Sequence, residues 1–296
     1  MKKNQARLII FTLLFVAADY GVSSFLLNGL HKYFGLNQDT KVALIGHSHL
    51  MLGIDKNKFE KEIGQPITKY TSEGVNVADR QLMINYLLKS NAETQVVIYG
   101  VDAWMFTGEG LSENSYKLFL PFMDDSKVGK EINMKAPIEE YWQKKLIRTS
   151  RYSEALINSA IRGQLGNWSN YKFGTVDTSL LRKNVEKANF RRIKSDETNR
   201  KIFEKSLELL ADKNIKVLLV YVPTIDFYNN AEPTKFEFER NYFKQIAKNY
   251  KNCTYLEYIE NWENKYTYFF DPIHLNPKGQ AAFTKAFSQD ILKIIR

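Results

Sequence analysis

The sequence predicts an α/β protein: a five-stranded parallel sheet with helices on both faces. Three observations predict it. Five short strand-like stretches recur along the chain with helical stretches between them, the alternation of a parallel sheet built by helical crossovers. Ser48 stands just past the first strand-like stretch, in Gly46-His47-Ser48, and open α/β sheets place their ligand sites beyond the carboxyl ends of strands. Asp271 and His274 lie three residues apart just before the last helical stretch, so one loop can present both. The carboxylate can orient the imidazole, and the imidazole can take a proton from Ser48.

Taken in order, Lys2, Lys3 and Arg7 precede an apolar stretch from Leu8 to about Leu30. At ~34 Å as a helix it is long enough to cross a bilayer. The basic end then stays in the cytoplasm and the remainder lies outside. Asp19, near the middle, costs roughly 2.5–3.5 kcal/mol in a lipid-facing helix. Val16-Ala17-Ala18 also fits a cleaved signal, and a buried cytosolic helix is the third reading. The uncleaved anchor is preferred because Tyr20–Leu30 stays apolar. The expected organisation is an anchor over residues 1–30 and an α/β domain over 31–296, with His31–Thr40 as a linker.

Val42–Ile45 reads as the first strand, buried on both faces. Ile54–Ile63 is a short helix, and Pro66–Tyr70 the second strand. A loop through Gly74 and Asn76 follows, with Gly74 free to take positive φ. Asp79–Ser90 is helical and Gln95–Tyr99 the third strand, which Gly100-Val-Asp-Ala103 leaves. Residues 113–194 break the alternation. They are rich in Tyr, Trp, Lys and Arg, with helical stretches near 137–148 and 152–163. They read as a helical insertion, either a packed cap or an aromatic and basic wall for a glycan. Alternation resumes with helix 197–212, strand 216–222, helix 234–250, strand 254–258, the Asp271 loop and a closing helix to Ile295. Asn276-Pro277 is a helix start, with Asn as cap and Pro in the first turn.

At 296 residues, 44% hydrophobic and 25% charged, the chain is large and apolar enough for a folded α/β core. The net charge of +9 is spread without a Lys/Arg block. It therefore fits an anionic membrane surface or acidic glycan, and nucleic acid is not an expected partner. Cys253 is the only cysteine, which excludes an internal disulfide and a cysteine-cluster metal site. His47 and His49 flank Ser48 with no third ligand at a recognisable spacing. The reading calls for no metal and no cofactor.

Gly46-His47-Ser48 after the first strand and Asp271-Pro-Ile-His274 before the last helix resemble the first and last blocks of the SGNH/GDSL hydrolase superfamily. The Gly-x-Ser-His form, followed by Gly53-Ile54-Asp55, looks most like its membrane-anchored branch of polysaccharide O-acetyltransferases. The resemblance covers roughly residues 41–110 and 195–296. It implies a flavodoxin-like sheet and a catalytic triad of Ser48, His274 and Asp271. It implies oxyanion donors from the Ser48 N–H and from Gly74, which matches the second block's glycine. Asp102 stands where the third block has asparagine. An ionised aspartate only accepts hydrogen bonds, so either Asp102 has another role, or Asn76 supplies the amide, or turnover is slow. His47 replaces the first block's aspartate and puts a second candidate base beside Ser48.

The expected function is therefore a membrane-anchored, extracytoplasmic serine esterase or O-acyltransferase acting on a cell-envelope polysaccharide. Its partners would be an acylated glycan or acyl donor, the membrane through the N-terminal helix, and a membrane acyltransferase. The rival expectation is a non-catalytic glycan-binding or scaffolding subunit of an envelope export or modification complex.

Overall fold

The computed structural model of the protein describes residues 2–107 and 115–295. Along the chain, α1 (Lys2–Phe34) leads to β1 (Val42–Gly46), α2 (Ser48–Gly53), α3 (Lys56–Ile63), β2 (Ile67–Thr71), α4 (Val77–Ser90) and β3 (Val96–Val101). Then come α5 (Ser126–Lys135), α6 (Ile138–Leu146), α7 (Glu154–Gln164), α8 (Thr178–Glu186) and α9 (Glu197–Asp212). The chain closes with β4 (Lys216–Tyr221), α10 (Asp226–Asn229), α11 (Pro233–Asn249), β5 (Cys253–Glu257), β6 (Phe269–Asp271), β7 (His274–Leu275) and α12 (Pro277–Ile295). Contacts divide it into two compact units, Met1–Asn37 with Asn114–Asn167, and Gln38–Glu113 with Trp168–Arg296.

The second unit is built on a five-stranded sheet of order β2-β1-β3-β4-β5, every pair parallel. This is the flavodoxin-like order, whose ligand crevice lies where the strand order reverses, beside β1 and β3. β1, β2 and β3 are buried at every residue; β1 and β3 accordingly read as continuous apolar runs rather than alternating ones, whereas β2, Ile67-Thr-Lys-Tyr-Thr71, carries polar side chains inward. β5 is the edge and becomes partly exposed after Cys253. Alternate side chains enter two cores. Val42, Leu44, Ile98, Leu218 and Val220 pack with Phe59 of α3 and Phe283 and Phe287 of α12. From the other face Tyr99 meets Phe203 of α9 at 5.4 Å, and Tyr221 meets Phe236 of α11 at 6.0 Å. Lys69, buried in β2, is satisfied: its Nζ donates to the Met51 and Ile54 carbonyls at the end of α2.

The first unit holds α1 with α5, α6 and α7. Here the structure corrects two expectations. The helix runs on to Phe34, through the region expected as the start of a linker. Asp19 does not face lipid unpaired: its carboxylate accepts from the Arg148 N–H at 2.8 Å, the Thr149 N–H at 2.9 Å and the Thr149 hydroxyl at 2.6 Å. Asp19, Ser23, Leu26, Leu30 and Tyr33 form one buried stripe along the second half of α1, at helical spacing. Glycine brings α1 against α7. A Cβ on Gly163 would stand 1.9 Å from the Gly29 carbonyl oxygen, and one on Gly29 would stand 2.2 Å from that of Ala160.

Candidate active site

Everything in the site hangs on where β1 ends. His47 follows the strand as an extended residue and caps α2, its Nδ1 accepting from the His49 N–H at 3.0 Å. Ser48 is then the first helical residue, and an N–H in a helix's first turn has no acceptor within the helix. That leaves a donor beside the Ser48 hydroxyl.

The partners of Ser48 arrive from the far end of the sequence. β6 and β7 form a small antiparallel hairpin that pairs Asp271 with His274. Asp271 Oδ1 accepts from the Ile273 and His274 N–H groups at 3.0 and 2.9 Å, which fixes the carboxylate. Its Oδ2 lies 2.7 Å from His274 Nδ1, and His274 Nε2 lies 2.8 Å from Ser48 Oγ. A carboxylate only accepts, so Nδ1 carries the imidazole proton and Nε2 of the neutral ring accepts from the Ser48 hydroxyl. This is the tautomer a general base needs. Ser48 and His274 are 7% and 8% exposed. Burial works to raise the Asp271 pKa, but the hydrogen bonds and charge from His274 and the two backbone donors outweigh it and hold the carboxyl below its usual range.

Asn276 anchors the hairpin to α12. Its Oδ1 accepts from the Gly279 N–H at 3.0 Å, capping the helix. Its Nδ2 donates to the carbonyls of Thr267 and Gly174, at 2.9 and 3.0 Å. The helix start expected at Asn276-Pro277 thus also ties down the strap of residues 168–176. That strap is held again by Tyr171, whose hydroxyl bonds Asp55 at 3.2 Å, by Gln280 donating to the Asn170 carbonyl at 3.0 Å, and by Lys172 pairing with Glu73 at 3.0 Å.

Of the four residues read as oxyanion donors, three keep donors for the role and one does not. Gly74 follows β2 with φ +79°, a conformation that favours glycine. Its loop lies beside the Ser48 turn, because β2 pairs with β1 and the Ser72 N–H donates to the Gly46 carbonyl at 3.2 Å. Asn76 uses its Oδ1 to cap α4 in a reciprocal capping box with Asp79. Its amide nitrogen has no partner among the described residues. Asp102 has both oxygens taken as acceptors, Oδ1 by the Trp104 N–H at 2.9 Å and Oδ2 by His47 Nε2 at 2.5 Å.

The His47–Asp102 pair is the part of the site that reading the sequence missed. The signal was there in both departures from the family blocks, since His47 and Asp102 lie at the ends of the adjacent strands β1 and β3. His47 Nδ1 is an acceptor, so its proton is on Nε2, donated to Asp102. Burial works to raise the Asp102 pKa, and the bond and charge of His47 outweigh it, keeping Asp102 ionised far below the usual range. Burial lowers the pKa of His47, and lowers that of His49 well below its ordinary value. The His49 ring stands edge-on to both His47 and His274, at 4.2 and 5.5 Å, and its buried Nδ1 has no partner among the described residues.

His47, His49 and Asp102 also present donor atoms within 4.8 Å of one another. Ligands of a tetrahedral zinc ion stand about 3.3 Å apart. His47 Nε2 and Asp102 Oδ2 are hydrogen-bonded at 2.5 Å. Asp102 is the third donor that the spacing around Ser48 did not show, and as arranged it is hydrogen-bonded to His47.

No family model matches the chain, and no curated protein matches it. Among solved structures it is similar to a Bacteroides fragilis protein described as an acylhydrolase, at 11% identity and TM-score 0.45, over 86% of this chain and 88% of that one. It is similar to a GDSL-like lipase from Bacteroides thetaiotaomicron at 12% identity and TM-score 0.43, over 88% and 90%. It is also similar to an active-site mutant of a family two carbohydrate esterase from Clostridium thermocellum, at 7% identity and TM-score 0.39, over 86% and 64%. At these identities and scores the likeness carries no argument about activity, which rests on the geometry above.

Proposed function

We propose that this protein is an SGNH-type serine esterase or O-acyltransferase, anchored by α1 and acting outside the cytoplasm on an acylated cell-envelope polysaccharide. The observation that carries the reading is the hydrogen-bonded series Asp271–His274–Ser48, with the imidazole tautomer set for proton abstraction. Ser48 Oγ attacks the acyl carbonyl carbon while His274 Nε2 takes its proton. The tetrahedral intermediate collapses, the ester C–O bond breaks, and the leaving alkoxide takes the proton back from His274. Water or a sugar hydroxyl then attacks the acyl-enzyme, giving its proton to His274, and Ser48 Oγ leaves with that proton. The Ser48 and Gly74 N–H groups serve the oxyanion, with the free Asn76 amide as third donor.

The glycan part of the proposal is supported by the strap 168–176. It is fastened to Asp55, Glu73 and Asn276, three residues in the segments that bear the Ser48 turn, the Gly74 loop and the His274 hairpin. It leaves Phe173 76% exposed beside Tyr171. Exposed aromatic faces suit sugar rings. The envelope part is supported by α1, whose stretch Lys3–Phe34 is long and apolar enough to cross a membrane. Lys3 and Arg7 at its start orient that end to the cytoplasm. A membrane acyltransferase that loads the acyl group would be the natural partner of a transferase.

The test is acetyl release from, or transfer to, an acetylated polysaccharide by the purified full-length chain. Ser48→Ala should abolish both reactions. Phe173→Ala should raise KM for polysaccharide while leaving turnover of a small acetyl ester unchanged. Equal loss on both substrates would remove the glycan reading and leave the esterase.

A further inference from the structure

The first unit leaves apolar residues in water in a pattern that its fold does not use. α6 exposes Ile138, Trp142 and Leu146, and α7 exposes Ile157 and Ile161, followed by Leu165 at its C-cap. Each set is spaced i, i+4, i+8, so each is one continuous stripe along its helix. Leu146 and Leu165 are 77% and 76% exposed. A soluble domain of this size scatters exposed apolar side chains singly; aligned stripes mark a surface with a partner.

α1 indicates which partner. From Leu8 to Ala18 the helix is exposed all round. From Asp19 onward one face is buried against its own unit, through the Asp19–Thr149 bonds, the Tyr152 hydroxyl on the Ser23 carbonyl at 2.9 Å, and the Gly29–Gly163 contact. The free segment is ~17 Å long at 1.5 Å per residue. The hydrocarbon core of a bilayer is ~30 Å thick. α1 alone is thus short by roughly 13 Å if its packed half stands in water. Yet Val22 and Phe25, within that packed half, are 51% and 55% exposed.

We propose that the first unit is seated in the lipid leaflet on its own side of the membrane. The stripes of α6 and α7, together with Val22 and Phe25, make up the missing hydrophobic depth against acyl chains. The inference rests on the reading of α1 as a membrane span. It explains why Asp19 is tolerated: its carboxylate accepts from Arg148 and Thr149, donors of its own unit, the arrangement required of a carboxylate at membrane depth. It explains Trp142 on an exposed stripe, since amphipathic aromatic rings concentrate at the bilayer interface. It also assigns the occupant by continuity, because the surface belongs to the same compact unit as the spanning helix.

The experiment uses the full-length chain, purified and reconstituted into vesicles of phosphatidylcholine and phosphatidylglycerol. Single cysteines at 13, 146 and 161 carry an environment-sensitive fluorophore; Cys253 is buried, and the unsubstituted chain serves as the labelling blank. The expected result is blue-shifted emission at all three positions, quenched by spin-labelled lipid and not by aqueous iodide. Iodide quenching at 146 and 161 with lipid quenching at 13 would overturn the seated unit while leaving the anchor intact. Iodide quenching at 13 as well would remove the anchor and this inference together. Labels at 146 and 161 that are open to iodide in these vesicles but shielded in native membranes would also overturn it, and assign the stripes to a protein partner.

Discussion

Asp102 and His47 lie 55 positions apart in sequence and are joined by one hydrogen bond, which His47 Nε2 donates. Asp102 cannot also serve an oxyanion, because both its oxygens accept and neither carries a hydrogen. Asp102→Asn tests this. A neutral amide offers one acceptor to two donors, the His47 Nε2–H and the Trp104 N–H, and leaves one of them facing an NH2. The variant should lose about 1–3 kcal/mol of stability, the usual cost of a buried unpaired donor, and should not acylate faster than the native chain. Urea melts and acylation rates check the two halves; faster acylation would mean that the amide reaches the oxyanion.

The buried imidazoles give a pH dependence of definite sign. Burial lowers the pKa of His47 and His49 in the folded state, so below about pH 6.5 the unfolded chain binds more protons at these residues than the native one does. Their contribution is fully retained above that pH and is lost as pH falls through it. The urea midpoint should therefore drop between pH 7.5 and 5. His49→Phe, which keeps a flat ring between His47 and His274, should flatten that drop. An unchanged slope would mean that His49 is protonated in the fold. At this scale Ser48, Asp271 and His274 were legible because each sits in a short local pattern. The His47–Asp102 pair was not, because no local pattern says which strands are neighbours.

Among the elements, β1, β3 and β4 were legible to within a residue or two because burial on both faces leaves a nearly unbroken apolar run; β2 and β5, which carry Thr, Lys and Glu, were legible from their place between helical stretches. The helical region before α9 was less so. α5 and α8 passed unread, since short amphipathic helices in a stretch rich in Lys, Arg and aromatics offer few turns over which periodicity can show. The second half of α1 was read as lipid-facing because overall hydropathy does not report which face of an apolar helix meets protein. Asp19 carried that information, and its spacing to Ser23, Leu26 and Leu30 was the sign of a packed face. Asp19→Ala strands the Arg148 and Thr149 N–H groups. It should destabilise the first unit by about 1–3 kcal/mol for each donor left buried and unpaired. Limited proteolysis of the full chain in detergent should then cut near residues 148–151 at lower protease concentration. Unchanged cleavage would mean that these bonds contribute nothing net.

For the molecule as a whole, a sheet of order β2-β1-β3-β4-β5 and a hairpin near the end of the chain meet at Ser48, and the proposed function requires that this meeting make Ser48 a nucleophile. The direct measurement is mass spectrometry of the folded, full-length chain after reaction with a fluorophosphonate or an activated acetyl ester. One covalent adduct, on Ser48, is expected, with a burst of leaving group. Ser48→Ala should show none. His274→Ala should form it several orders of magnitude more slowly, and Asp271→Asn, which favours the wrong imidazole tautomer, about 10⁴-fold more slowly. Folded protein that leaves Ser48 unmodified by both reagents, or that labels as fast without His274 as with it, would show that Ser48 is not a triad nucleophile.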